Sequence, residues 1–246
     1  MSNSPSPSPR CRIFIDAGLQ SGKEVVIPSD QAHYLRHVMR LNSGDMLTVF
    51  NGRGGECLAS VSGLAKDYAS CRIESVDDVD RELPIDVYII QSANKSEKIE
   101  TVLQKCTELG AAGFQISASE RSQFKLPEVK REARLERWRK IIIEAAEQSG
   151  RTAIPSLTYR QSLADVAFQP QSFALHPHAA LPFATIRSDL TGATGISLAV
   201  GPEGGFSDRD LRIMQDAGCR SLAFGPRTMR TETAAPALMA AIAAVL

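Results

Sequence analysis

Two stretches near the C-terminus carry the residue types from which a site could be made. "LAVGPEGGFSDRDLRIM", residues 198–214, runs from an apolar segment through Gly201, Pro202, Glu203, Gly204 and Gly205 into a helix-like pattern. "FGPRTMRTETAAP", residues 224–236, repeats the arrangement: a Gly-Pro turn, then Arg227, Arg230, Thr231, Glu232 and Thr233, opening the apolar "ALMAAIAAVL". Glycine permits positive φ and close approach of main chain to a ligand, so both turns suit a group held by backbone amides and carbonyls. Neither matches the phosphate cradles G-x-x-x-x-G-K-[ST] or G-x-G-x-x-G. Glu203, Asp208 and Asp210 would repel an anion that helix N-terminal amides otherwise attract, which leaves a neutral or cationic ligand such as a nucleoside bearing a sulfonium. A plain strand-to-helix connection capped by Ser207 or Asp208 accounts for the first turn equally well. The second polar loop, opening a helix apolar enough to be buried, shifts the balance toward a site.

The elements that must hold these turns can be read from periodicity. From residue 11 to about 80, short apolar or alternating runs ("CRIFI", "EVVI", "MLTVF", "ECLASV", "SCRIESV") are separated by turn signals, which predicts a small β-barrel. One helix interrupts it at "SDQAHYLRHVMRL", with Ala32, Leu35, Val38 and Met39 on one face and Arg36, His37 and Arg40 turned outward. Beyond residue 81 strand-like and helix-like segments alternate. "IDVYIIQS", "GFQIS", "FALHP", "GISLAVG" and "SLAFG" read as strands. "SEKIETVLQKCTELG" reads as a helix with an Asn94–Glu97 capping box, and a long helix carries Leu135, Trp138, Ile142 and Ala145 on its buried stripe before Gly150. Strands linked by helices predict an open α/β sheet, whose ligands lie beyond the carboxyl ends of the strands, here after Leu175, Val200 and Phe224.

Bulk features narrow the function classes. The 246 residues suit two domains, 11–80 and 81–246, behind a Ser-Pro tail over residues 1–10 that has nothing to bury. No apolar run reaches the roughly 18 residues of a membrane span, and the N-terminus lacks a signal-peptide layout, so a cytoplasmic protein is expected. Five scattered cysteines (Cys11, Cys57, Cys71, Cys106, Cys219) suggest reduced core residues, and the four histidines have no metal-ligand spacing, so no metal is expected. Net charge is zero, yet residues 121–140 hold eight Lys/Arg against three Glu, a local +5. That is either a solvated helix face with i, i+4 pairs or a nucleic-acid surface.

The two motifs, Gly201-Pro202-Glu203-Gly204-Gly205-Phe206-Ser207 and Gly225-x-Arg227-x-x-Arg230-Thr231-Glu232-Thr233-Ala234, closely resemble those of RsmE-type ribosomal RNA methyltransferases, which modify N3 of a uridine in the 16S rRNA of the small subunit. The likeness extends through "EKIETVLQKCTELG", "ERWRKIIIEAAEQSGR" and "LHP", and departs at Asp210, at Thr228-Met229 and in the Ser-Pro tail. It implies a PUA-like RNA-binding barrel followed by a SPOUT methyltransferase domain with a trefoil knot, acting as a homodimer on S-adenosylmethionine. Carried over by position, the donor would be held by Leu175-His176-Pro177, by Gly201, Pro202, Glu203, Gly204 and Gly205, and by Leu222, Gly225, Pro226, Met229 and Arg230. The resemblance makes Arg230 the group that stabilises the deprotonated uracil, with Glu232 as its orienter or as the base. It turns Arg12, Arg36, Arg40, Lys95, Arg121, Lys125 and Arg151 into RNA ligands. Rival readings are an RNA-binding module without donor binding, and a knotted methyltransferase acting on tRNA or a ribose hydroxyl; a nicotinamide-dependent dehydrogenase lacks its fingerprint.

Overall fold

The computed structural model describes residues 9–66, 68–122 and 126–246; residues 1–8 of the expected tail, and Lys125, lie outside them. The chain clusters into two compact units. One runs to Glu82 and includes Ala146–Ile154; the other consists of Leu83–Ala145 and Pro155–Leu246.

The first unit contains β1 (Arg12–Phe14), β2 (Glu24–Ile27), α1 (Ser29–His37), β3 (Met46–Phe50), β4 (Glu56–Leu64) and β5 (Ala69–Asp77). The strands form one sheet in the order β1-β3-β4-β5-β2, antiparallel except for β1 beside β3. Alternate residues turn inward, as the period of two requires: Cys57, Ala59 and Val61 of β4 join Ile13, Leu47 and Ile73 in one core. Helix α1 is shorter than its apolar pattern. Ala32 and Leu35 reach the core, but the helix ends at His37, Val38 is 63% exposed, and Arg40 takes a left-handed φ of 52°. Residues 146–154 belong here because polar groups tie them in: the Phe14 N–H donates to Glu147 at 2.8 Å and Arg81 donates to the Gly150 carbonyl at 3.1 Å.

Two residues expected to contact RNA serve this unit's interior instead. Arg12 pairs with Glu56 at 3.2 Å, donates to the Ala146 carbonyl and lies 3.8 Å above the Phe50 ring. Arg151 is 5% exposed and pairs with Glu82, whose other carboxylate oxygen accepts the N–H groups of Thr152 and Ala153 at 3.0 and 3.1 Å. A buried cation such as Arg151 needs its partner, and moving it to a phosphate would leave the Glu82 carboxylate without its cation, whereas Glu56 is also held by Arg81 at 2.9 Å.

The second unit holds a wholly parallel sheet of β6 (Asp86–Ser92), β7 (Gly113–Ser117), β8 (Ser156–Arg160), β9 (Gln171–Leu175), β10 (Leu181–Pro182), β11 (Gly195–Val200) and β12 (Arg220–Ala223). Their order is β10-β12-β9-β11-β6-β7-β8. Its helices are α2 (Ser96–Glu108), most of α3 (Glu128–Ser149), α4 (Arg187–Leu190), α5 (Asp208–Asp216) and α6 (Thr231–Ala243). Strands covered on both faces read as unbroken apolar runs, and every residue of β7 and β11 is buried. Because all strands point the same way, the loops leaving β12, β9, β11 and β6 open side by side on one carboxyl edge.

Two local details place the site. Ser207 caps α5 in a capping box: its hydroxyl accepts the Asp210 N–H, and the Asp210 carboxylate accepts the N–H groups of Ser207 and Glu120. The box expected at Asn94–Glu97 does not form; Lys95 occupies the cap of α2, with its N–H on Asn94 Oδ1. A buried chain of hydrogen bonds then ties three elements together. Gln91 Nε2, at the end of β6, donates to Thr231 Oγ1 at 2.9 Å, and that hydroxyl donates to the Gly201 carbonyl at 2.8 Å. We predict that Thr231→Val, which keeps the shape but removes both bonds, lowers the unfolding free energy in urea by about 1–3 kcal/mol, and that Thr231→Ser recovers most of it.

Candidate functional site

The loops on the carboxyl edge enclose a cleft of about 650 Å³, within the ordinary range for small-molecule sites. Leu175, His176 and Pro177 line it from the loop after β9, Gly201 to Phe206 from the turn after β11, and Phe224, Gly225 and Arg227 to Thr231 from the loop after β12. Val200, Phe206, Phe224 and Ala234 give it apolar walls. Phe224 is steadied from behind by Phe183, edge to face with ring centroids 4.9 Å apart.

The three glycines of the first turn do different jobs. Gly205 has a positive φ of 67°, which an L side chain adopts only under strain, whereas a Cβ at Gly201 would lie 3.3 Å from the Phe206 nitrogen. Gly204 needs neither; a Cβ there would meet only the Arg121 side chain at 3.6 Å. A single added carbon at Gly204 is therefore accommodated, in ordinary contact with Arg121. Arg121 holds this turn, donating to the carbonyls of Gly204 at 3.0 Å and Phe206 at 3.4 Å. The loop after β12 is the opposite case. Among the described residues, the main-chain groups of Gly225–Met229 make no hydrogen bond within the protein. The carbonyls of these five residues and the N–H groups of all but Pro226 are open to a ligand or water, and Gly225, Arg227, Thr228 and Met229 lie on the cleft wall.

Charge in the cleft is organised around Lys98, a residue on α2 that motif reading passed over although Lys95 and Lys105 in the same stretch stand out. Its ammonium lies 2.7 Å from Glu203 Oε1 and 3.5 Å from Glu232 Oε2. The Lys98 hydrogen bond holds the Glu203 carboxyl below the usual carboxylate range and Glu203 raises Lys98 in return. Glu232 thus faces Lys98, and no ion pair joins it to Arg230 among the described residues. Arg227 and Arg230 line the cleft as exposed cations with no ion pair of their own among the described residues.

Of the residues expected to hold a ligand, Leu175, His176, Pro177, Gly201, Pro202, Glu203, Gly204, Gly205, Gly225, Met229 and Arg230 line the cleft together. Leu222 and Pro226 do not. Leu222 is fully buried, and its carbonyl accepts the His176 N–H at 2.9 Å, which fastens the loop after β9 to β12. Among the expected RNA ligands, Lys95, Arg36 and Arg40 are exposed and make no ion pair among the described residues. The basic face of α3 is partly neutralised, since Arg134 and Arg137 both pair with Glu100 of α2 and Arg139 with Glu136. Lys98 and His178 are lining residues outside the stretches that the sequence singles out.

A twice-covered parallel sheet with a main-chain-rich cleft at its carboxyl edge defines an α/β ligand-binding protein, here joined to a small β unit. Residues 81–243 match the model of an RNA methyltransferase domain, and residues 27–74 that of an RNA methyltransferase PUA domain. The chain is 32% identical over 235 residues to the ribosomal RNA small subunit methyltransferase E of Bacillus subtilis, covering 91% of this chain and 92% of that protein. Among solved structures, a ribosomal RNA small subunit methyltransferase E from Neisseria gonorrhoeae bound to S-adenosyl methionine superposes with a TM-score of 0.87 at 29% identity, covering 96% and 97% of the two chains. A Legionella pneumophila protein solved with bound SAM gives a TM-score of 0.88 at 33% identity, covering 95% and 97%. The chain belongs to the family of RNA methyltransferases that join a PUA domain to a methyltransferase domain.

The grip of Arg121 on the glycine turn has a measurable consequence. In Arg121→Met the carbonyls of Gly204 and Phe206 lose their donors, and we expect amide exchange at Gly205–Asp208 to accelerate about fivefold, in keeping with roughly 1 kcal/mol for the bonds lost, while the interior of α5 keeps its protection.

Proposed function

We propose that this protein transfers a methyl group from S-adenosylmethionine to N3 of a uridine in the 16S rRNA of the small ribosomal subunit. The observation that carries the reading is the free main chain of Gly225–Met229 facing the Gly201–Gly205 turn across an apolar-walled cleft, with uncommitted arginines beside it. The residues fit the donor. Backbone donors and acceptors would suit the purine edge and the ribose hydroxyls, Leu175, Val200 and Phe224 would offer apolar surface to the base, and Glu203, paired with Lys98, adds a carboxylate to the wall for a cationic ligand. When bound, S-adenosylmethionine supplies an electrophilic methyl carbon on a sulfonium.

N3 of uridine carries a proton and is a nucleophile only once that proton is lost, so the site must favour the anionic ring. Arg230, exposed in the cleft and free of any ion pair among the described residues, is placed by us against the uracil oxygen where that charge accumulates. Glu232, on the first turn of α6, is assigned here as the base; its Oε2 faces Lys98 at 3.5 Å, and it follows directly on Arg230 and Thr231 of the cleft lining without being part of that lining. Methyl transfer removes the sulfonium charge, so the remaining contribution of the protein is alignment, supplied by loops whose backbone is fixed through Thr231 and Arg121. RNA phosphates are met by Arg227 beside the cleft and by Lys95, while Arg36 and Arg40 serve the PUA unit.

A trefoil knot is supported by the strand order, in which β11 inserts between β9 and β6 while β12 pairs with the far side of β9. A homodimer is supported by α6, whose outward residues Ala240 and Ala244 continue into Val245 and Leu246 at 39% and 43% exposure. The rRNA substrate supports a cytoplasmic location, and no helix among the described residues is long and apolar enough to cross a membrane.

Two outcomes test the reading. Calorimetry should detect donor binding to the wild-type protein and its loss in Gly204→Val, which adds a branched side chain beside Arg121 on the cleft wall; a protein that binds no donor at millimolar concentration is an RNA-binding module instead. Arg230→Ala should lower single-turnover methylation by about 10²-fold or more while the donor dissociation constant moves less than about twofold. Mapping the methylated base in rRNA from cells lacking the protein identifies the target, and a missing mark on tRNA or a ribose would replace this function by the knotted-methyltransferase alternative.

A further inference from the structure

Helix α2, the turn after β11 and the first turn of α6 come from widely separated parts of the chain, and one side chain reaches all three. Lys98 is anchored on α2, which packs on α6. Its ammonium meets Glu203 of the turn at 2.7 Å and Glu232 of α6 at 3.5 Å. Glu232 Oε2 is buried and accepts no hydrogen bond, and among the described residues Lys98 is the cation within ion-pair distance of either carboxylate. Two carboxylates on one ammonium are held together only while the ammonium is present; without it they repel. The ends of this bridge are not neutral scaffolding. Glu203 sits inside the glycine turn that lines one wall of the cleft, and Glu232 follows directly on the loop that lines the other.

We infer that Lys98 is a positioning residue that, by holding Glu203 and Glu232 on one charge, sets the spacing between the Gly201–Gly205 turn and the start of α6 and hence the width of the cleft that takes the methyl donor. This rests on the reading of the cleft as the donor site. Lys98 acts through the two carboxylates and need not touch the ligand. A second bridge, from Thr231 to Gly201, fixes the same two segments at the floor of the cleft, so loss of Lys98 opens the rim and leaves the fold in place.

The test is a double-mutant cycle on the donor dissociation constant, measured by calorimetry with S-adenosylmethionine and with S-adenosylhomocysteine, alongside urea denaturation of each protein. Lys98→Met should weaken both ligands roughly five- to tenfold, as expected for a partly screened ion pair, with little change in the denaturation midpoint. Lys98→Arg, which restores the charge and its two partners, should recover binding to within about threefold. In a Glu203→Gln background the Lys98→Met change should cost clearly less, because one arm of the bridge is already neutral. Wild-type binding that Lys98→Met leaves untouched, or a loss identical in the two backgrounds, overturns this inference while leaving the donor site intact; a wild-type protein that binds neither ligand overturns the donor site itself. Should Lys98→Met fail to fold, Glu203→Gln alone must still weaken both ligands, and unchanged affinity there overturns the inference equally.

Discussion

The hydroxyl of Thr231 is shared between the amide of Gln91 and the carbonyl of Gly201, and the site depends on that pair of hydrogen bonds. A parallel sheet delivers its loops to one edge but leaves their spacing undefined, because a loop rich in glycine can adopt many paths. Here the end of β6, the turn after β11 and the N-terminus of α6 are joined through one buried atom. In a low-dielectric interior an unmade bond at any of these groups is costly, so the three segments move together or not at all. The remaining constraints extend this one outward: the Ser207–Asp210 capping box fixes where α5 begins, Arg121 grips the outer carbonyls of the turn, and the Leu222 carbonyl fastens the loop after β9.

What is left without partners is as informative as what is tied down. Around the fixed turn the loop after β12 keeps its backbone groups from Gly225 to Met229 unbonded, and Arg227 within it and Arg230 just after it have no counter-ions among the described residues. Elsewhere charges are matched with care, as at Glu82 with Arg151, Glu56 with Arg12 and Arg81, and Glu100 with Arg134 and Arg137. The contrast separates cations that hold the protein together from cations available to a substrate. Burial pushes the Cys71 thiol up to about 11 and Cys219 to about 12, which removes them as nucleophiles and suits their place in the cores.

The strands and loops of the second unit were legible in the sequence because a buried parallel strand is a continuous apolar run, and because glycine-rich turns after such runs have few other uses. Edge strand β8 was not, since its half-buried residues follow no clean pattern, and β10 is too short to leave one. The end of α1 was misjudged because Val38 and Met39 extend the apolar stripe past the residue where the chain leaves the helix. Of the two motifs, Gly201–Phe206, Gly225 and Arg227–Thr231 line one cleft. Leu222 does not, because a strand residue in a recognised motif can be there to support a neighbouring loop. Arg12 and Arg151 show the limit for charge: a sequence reveals that an arginine exists but not whether a glutamate 44 or 69 positions away has claimed it. Lys98 was missed for the same reason, its partners lying in two other segments.

The central claim is that the methyl donor is gripped by the backbone of two loops at the carboxyl edge of the sheet. Hydrogen–deuterium exchange across the whole chain, with and without S-adenosylhomocysteine, addresses it most directly. The account predicts protection concentrated at residues 201–206 and 224–231 and absent from the five-stranded sheet; protection confined to any other segment, or none at saturating ligand, would contradict it.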